Sequence, residues 1–258
     1  MSHSLTAGAS GGPALRYAPA TGSPPAGRPP RGPLPRARQV LAVIARPGQE
    51  SADLGALLHA FRRTGARLAL LSVTRGEASP LNSTWERLET RRPWELQVAA
   101  AVLGVSWLTV ADYPDGGLAL RPLAELTDLV QREIRRRAPD LLLVVDPGPA
   151  GPGGDMLAGD HADDAAAASD SSDNAVLARA VRCAAGRAGV PVLARARPDA
   201  DGARHVTLGP DPAAARAAQR SAVAAHLSQS EALPEVQRRL RLLDGHEALR
   251  WLPPPPRS

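Results

Sequence analysis

The chain has 258 residues, enough for one domain with a substantial core and at most two. Its formal charge of +5 comes from 31 basic residues, all of them Arg, against 26 acidic ones. The excess lies in residues 1–38, where Arg16, Arg28, Arg31, Arg36 and Arg38 meet no acid; the remainder is neutral and only 3% of the chain is aromatic, which argues against a nucleic-acid binder. Cys183 is the only cysteine, so neither an intrachain disulfide nor a cysteine-built zinc site is available. No run of 18 apolar residues and no apolar leader segment occurs, so the expectation is a cytoplasmic protein that does not engage a membrane. The richness in Ala, Arg, Gly and Pro reads as the bias of a high-GC bacterial genome.

Residues 1–38 form a Pro/Gly/Ala/Arg segment with few large apolar side chains, read as a disordered tail. From residue 39 strand and helix alternate. Gln39–Ala45 is an apolar, β-branched run suited to a buried parallel strand. Ser51 is placed to cap a helix with Leu54, Leu57, Leu58 and Phe61 on one face, ended by Gly65. Arg67–Thr74 is a second strand. A helix over 86–103 stops at Gly104, and Ser106–Val110 is a third strand. Pro122 opens a helix that buries Leu123, Leu126, Val130 and Ile134, and Leu141–Val145 is a fourth strand. Residues 146–173 hold seven Asp and little core-forming material, and read as a flexible acidic loop. A helix over 174–188 and the strand Val190–Ala194 follow; Asp211 and Pro212 start an Ala-rich helix reaching His226. Pro253–Pro256 stiffens a Pro-rich terminus, 253–258. The expected architecture is one doubly wound, mostly parallel, Rossmann-like α/β domain over 39–252, with its ligand crevice beyond the carboxyl ends of the strands.

The crevice segments carry motifs in a fixed order: Ala45-Arg46-Pro47-Gly48-Gln49-Glu50, Thr74-Arg75-Gly76-Glu77, Arg92 with Glu95 and Leu103-Gly104-Val105, Tyr113-Pro114-Asp115-Gly116, and Ala225-His226-Leu227-Ser228-Gln229. Over about residues 39–230 this set resembles the LmbE/PIG-L family of metal-dependent N-deacetylases, whose first motif is Ala-His-Pro-Asp-Asp-Glu. The resemblance implies zinc bound by three side chains, which lower the pKa of a bound water. In the family these are the His and second Asp of the first motif and the last His of a later His-Pro-Asp-His. The first Asp is the general base, and the first His of the later motif stabilises the oxyanion.

At those places this chain has Arg46, Gly48 and Gln49, a fixed cation, no side chain and a neutral amide; Glu50 is retained. The later motif has two registers. Ser171-Ser172-Asp173-Asn174 runs into the following helix without a gap and replaces both histidines, by Ser171 and Asn174. His161-Ala162-Asp163-Asp164 keeps the first His but stands about ten residues before that helix. The first register is preferred.

The reading is a family member without the expected zinc or any other cofactor, retained to bind a small polar, amino-sugar-like ligand or a protein partner. Its pocket would comprise Arg46, Glu50, Arg75, Arg92, Asp115 and Asp173. The alternative is an active amide hydrolase with a rearranged metal site on Asp160, His161, Asp163 and Asp164. A third reading has the basic tail dock on an acidic partner or on the acidic loop; oligomeric state is not legible. Cys183 reads as a core filler, and Gln219 or Arg220 stands where the family carries a Lys ahead of His226.

Overall fold

The computed structural model describes residues 31–78, 87–147, 164–229, 238, 240, 241 and 244–253, with side chains omitted at 31 and 164–171. Eight strands build one sheet: β1 (Arg31–Gly32), β2 (Gln39–Ile44), β3 (Arg67–Thr74), β4 (Trp107–Tyr113), β5 (Leu141–Val145), β6 (Val192–Arg195), β7 (Arg204–Thr207) and β8 (His246–Leu252). Their order is β1-β7-β8-β6-β5-β2-β3-β4. The run β4-β3-β2-β5-β6 is parallel throughout. Strand β8 is antiparallel to both β6 and β7.

The central strands are apolar on both faces because both faces are covered. In β2, Val40, Ala42 and Ile44 point into one core layer and Leu41 and Val43 into the other. The first layer is closed by α2 (Gly55–Arg63), α3 (Leu88–Leu103) and α6 (Pro212–Ala224), through Leu57, Phe61, Leu96, Leu103, Ala215 and Ala222. The second is closed by α4 (Leu123–Arg137) and α5 (Asp164–Ala188), through Leu126, Val130, Leu177 and Val181. Each fully buried Leu or Val side chain contributes about 1.5–3 kcal/mol of transfer free energy. No helix among the described residues is long and apolar enough to cross a membrane.

The expected α/β class and the five parallel strands are present, and several boundaries move. The tail expected over 1–38 is ordered from Arg31: β1 pairs with β7, and Leu34 and Ala37 pack against the core. Residues 1–30 lie outside the described set. Helix α5 begins at Asp164, ten residues before the expected start, so the acidic loop expected over 146–173 ends earlier; Ala165–Ala168 supply the helix propensity. Ser51 is no cap. It lies inside the four-residue helix α1 (Gln49–Ala52), fully buried, and its hydroxyl donates to Glu50. Strands β7 and β8 escaped the sequence reading because neither is a continuous apolar run: β7 is Arg204-His-Val-Thr207, and β8 is interrupted by His246, Glu247 and Arg250. Asp211 caps α6 as expected, accepting from the Ala214 N–H at 2.9 Å.

Chain connections leave β2 toward β3 on one side and β5 toward β6 on the other. Between these two neighbours lies the topological switch point where such sheets open a crevice. Arg46 follows β2 there and Asp146 follows β5.

Candidate functional site

The turn after β2 is shaped by its own residues. Gly48 has φ 104°, a conformation that a residue with a Cβ adopts only under strain. That turn aims the Gln49 side chain back at the strand end. Gln49 Oε1 accepts from the N–H of Ala45 at 3.0 Å and lies 3.5 Å from the N of Arg46. Its Nε2 donates to Asn174 Oδ1 at 3.1 Å, a buried bond between residues 125 positions apart.

Glu50, fully buried, carries the next set of contacts. Its Oε1 meets His226 Nε2 at 2.6 Å and receives the Ser51 hydroxyl; its Oε2 accepts the Gly48 N–H at 2.7 Å. Burial alone would push this carboxyl up, yet the charge and hydrogen bond of His226, with the bonds from Ser51 and Gly48, hold it below the ordinary carboxylate value.

Arg92 is fully buried beneath the turn, donating to the carbonyls of Gly76 and, at 2.7 Å, Pro47. Burial first, and then the neighbouring charge of Arg46, lower its pKa to about 10, against the opposing pull of Asp115, Glu50 and Glu95. It remains charged at neutral pH. A Cβ at Gly76 would stand 2.7 Å from its Nη1, and Gly76 also has φ 74°, so that motif glycine is required twice over. Arg46 itself is 6% exposed. Two guanidinium groups therefore share this wall with three carboxylates.

The remaining predicted residues divide. Asp115 accepts from the Thr74 hydroxyl at 3.2 Å and the Ala78 N–H at 3.1 Å, while its own N–H donates to Glu77 at 3.0 Å; the second and fourth motifs are thus stitched together. Asp173 accepts the N–H groups of Gly116 and Leu118, both at 2.9 Å, which ties α5 to the same turn. Burial, with Asp115 adding to it against those backbone bonds, raises its pKa. Arg75 is not brought to this cluster. It lies just past the end of β3 and pairs with Asp112 at 3.1 Å on the surface, with both side chains well exposed. Asp160, His161 and Asp163 lie outside the described residues, as do the side chains of Asp164 and Ser171. Among the described residues no cluster of three His, Cys, Asp or Glu is arranged to hold a metal ion.

Sequence reasoning missed Gln219 as a fastener: it is fully buried, accepts from Arg216 at 2.8 Å and donates to the Ala52 carbonyl at 2.7 Å, closing the end of α1. It missed the buried ion cluster beside β6 as well, where Arg195 meets Asp53 at 3.6 Å and Glu247 at 3.4 Å, and Arg216 meets Glu247 at 2.5 Å. Asp146 pairs with Arg250 at 2.7 Å. The partners lie at least 31 positions apart in the sequence, so no local pattern marked the pairs.

A doubly wound α/β sheet with a polar cluster at its switch point, built on strand-end motifs, defines a protein of the deacetylase-like α/β class. The family profile described as PIG-L, GlcNAc-PI de-N-acetylase, matches residues 41–170, and the chain belongs to that family. Solved structures with this fold include a conserved protein from Thermus thermophilus at 20% identity, covering 85% of this chain and 96% of that one with a TM-score of 0.60. An N,N'-diacetylchitobiose deacetylase from Pyrococcus horikoshii, 16% identical, covers 84% of each chain at 0.61. A deacetylase of teicoplanin biosynthesis, also 16% identical, covers 83% of this chain and 96% of its own at 0.58. These likenesses concern the fold. No match was found among curated proteins.

The amide pair can be tested by stability alone. Gln49→Ala leaves the buried Ala45 N–H without its acceptor and is expected to cost about 1–3 kcal/mol. In a double-mutant cycle with Asn174→Ala, urea unfolding is expected to return a coupling of about 0.5–1.5 kcal/mol. Additive single effects would show that the two amides do not bind each other.

Proposed function

We propose that this chain is a family member that binds a small polar, amino-sugar-like ligand without metal-assisted hydrolysis. The observation that carries the reading is the hydrogen bond between Gln49 and Asn174. Where the family's motif would supply an anionic carboxylate and a neutral imidazole to a cation, two neutral amides satisfy each other. Amide groups are poor donors to zinc, which takes thiolate, imidazole or carboxylate. Arg46, at the place of the family's other histidine, brings a permanent positive charge that opposes a divalent ion. Gly48 has no side chain to act as general base, and the described backbone there, with φ 104°, disfavours one. The donor set therefore does not fit zinc. The Gln49–Asn174 contact also favours the register in which Ser171-Asn174 stands at the later motif.

What this cluster offers a ligand is hydrogen-bond donors and fixed positive charge. Arg46 is the group assigned to meet a carboxylate, phosphate or carbonyl oxygen of the ligand, while the buried carboxylates of Glu50 and Asp173 are committed to holding the turns. The test has two parts. Elemental analysis after dialysis against zinc, with an assay for acetate release from N-acetylglucosamine derivatives, is expected to show no stoichiometric metal and no turnover. Calorimetric titration against amino sugars and their phosphates is expected to show binding that weakens about 10- to 100-fold in Arg46→Ala, the loss of a charged hydrogen bond of about 1.5–3 kcal/mol. Zinc at one per chain together with acetate release would overturn the reading and favour the metal site on Asp160, His161, Asp163 and Asp164.

A further inference from the structure

The backbone on either side of Arg46 is held in place. Before it, the Ala45 N–H donates to Gln49 Oε1 at 3.0 Å, and the Ala45 carbonyl accepts the Thr74 N–H at 2.9 Å. After it stands Pro47, whose ring fixes its own φ and disfavours the helical region for the residue before it. The Pro47 carbonyl then accepts Arg92 Nη2 at 2.7 Å. A side chain launched from so fixed a backbone is preorganised for its contact.

Arg92 supplies its part of this hold from a distant element. It lies on α3, 45 positions beyond Pro47 in the sequence, and its other terminal nitrogen, Nη1, donates to the Gly76 carbonyl. One guanidinium thus bridges the turn after β2 and the turn after β3, which carry the first and second motifs. Bridging two carbonyls suits a planar fork of fixed donors; an ammonium is a compact point charge on a flexible stem. Burial also settles what Arg92 does not do. The sequence placed it in the pocket, but its side chain has no exposed surface, and both terminal nitrogens are committed to backbone carbonyls. Charge adds to the geometry. The guanidinium of Arg46 lies near enough for its charge to be felt at Arg92, which Asp115, Glu50 and Glu95 keep ionised. A cation that cannot move repels the one beside it, so Arg46 is pressed away from the wall that Arg92 occupies.

We infer that Arg92 is a positioning residue of the ligand site: it touches no ligand and acts through Arg46, whose binding direction it sets by clamping the Pro47 and Gly76 carbonyls. That role rests on the site binding a ligand as proposed above, and the titrations separate the two claims. Glucosamine 6-phosphate is titrated calorimetrically into the wild type, Arg46→Ala, Arg92→Lys and the double variant, each with a native far-UV circular dichroism spectrum and a cooperative urea transition. Arg92→Lys keeps the charge but loses the fork, and should weaken binding about 10-fold, within the loss caused by Arg46→Ala. In the Arg46→Ala background the same substitution should change affinity by less than about twofold, because the group it acts through is gone. Equal losses in both backgrounds would mean that Arg92 acts on the ligand directly or on the site at large; they would overturn the positioning role and leave the ligand reading intact. So would an Arg92→Lys protein that binds as the wild type does. Absence of binding by the wild type would overturn the ligand reading and the positioning role together. If Arg92→Lys does not fold, Gly76→Ala takes its place in the same cycle: its Cβ would stand 2.7 Å from Arg92 Nη1 and displace the guanidinium, and the same outcomes decide.

Discussion

Replacing Glu95 with Ala should destabilise the protein by about 3–5 kcal/mol, the cost of removing one member of a buried, hydrogen-bonded charge set. Glu95 is fully buried on α3. One oxygen accepts the Ser228 N–H at 2.8 Å and Arg91 Nε at 3.0 Å, and the other accepts the Ser228 hydroxyl at 2.5 Å. The carboxylate therefore pins the C-terminal motif segment onto α3. It is also one of three acids whose field sustains the charge on Arg92, itself buried and beside Arg46. Truncation leaves the Ser228 donors without an acceptor and removes a counter-charge from a guanidinium that cannot reach water. Since a domain of this kind is stable by only about 5–15 kcal/mol, the loss is a large share of the whole. Urea unfolding should show the midpoint fall sharply with little change in slope. A shift below about 1 kcal/mol would mean that the segment 226–229 is not anchored through this residue.

The second large effect concerns Glu50, and it depends on pH. Its carboxyl is held below its ordinary value of 4.5 in the folded state: burial opposes ionisation, and His226, Ser51 and the Gly48 N–H overcome it. A carboxyl whose folded pKa is depressed contributes stability that is fully present above the unfolded value. That contribution disappears as pH falls from about 4.5 through the lower folded value. Glu50→Gln should therefore cost about 3–5 kcal/mol at pH 7, because His226 loses a buried charged partner. The deficit should shrink as the pH is lowered below about 4, where the wild type loses the same contribution. Asp173 has the opposite sign: its raised pKa makes its contribution decline as pH rises through the folded value, but it is present in both proteins and cancels in their difference. The measurement is the difference in unfolding free energy between wild type and variant from pH 3 to 7, and a deficit that stays constant would show that Glu50 is not the ionised partner.

The fold was legible where the physics is local. Runs such as Leu141–Val145 are apolar at every position because a central parallel strand is covered on both faces, and the bounds of β3 and β5 are those the sequence suggests. The pattern Leu126, Val130, Ile134 marks the buried stripe of α4 in the same way. Helix α5 was legible only in its second half. Its first turns are Asp- and Ser-rich, and side-chain chemistry favouring a loop competed there with four consecutive alanines.

By itself the sequence determined the α/β class, the order of the motifs at the strand ends and the location of the excess charge. Each of these is a property of one short segment. Only the tertiary structure decided the partnerships: Gln49 with Asn174, Glu50 with His226, Glu95 with Ser228, and Arg75 with Asp112 at the surface rather than in the pocket. The physical reason is that residue type and periodicity specify what a segment can bury or donate. Which donor meets which acceptor depends on where distant strands return to the sheet, and for Glu50 that partner lies 176 residues away.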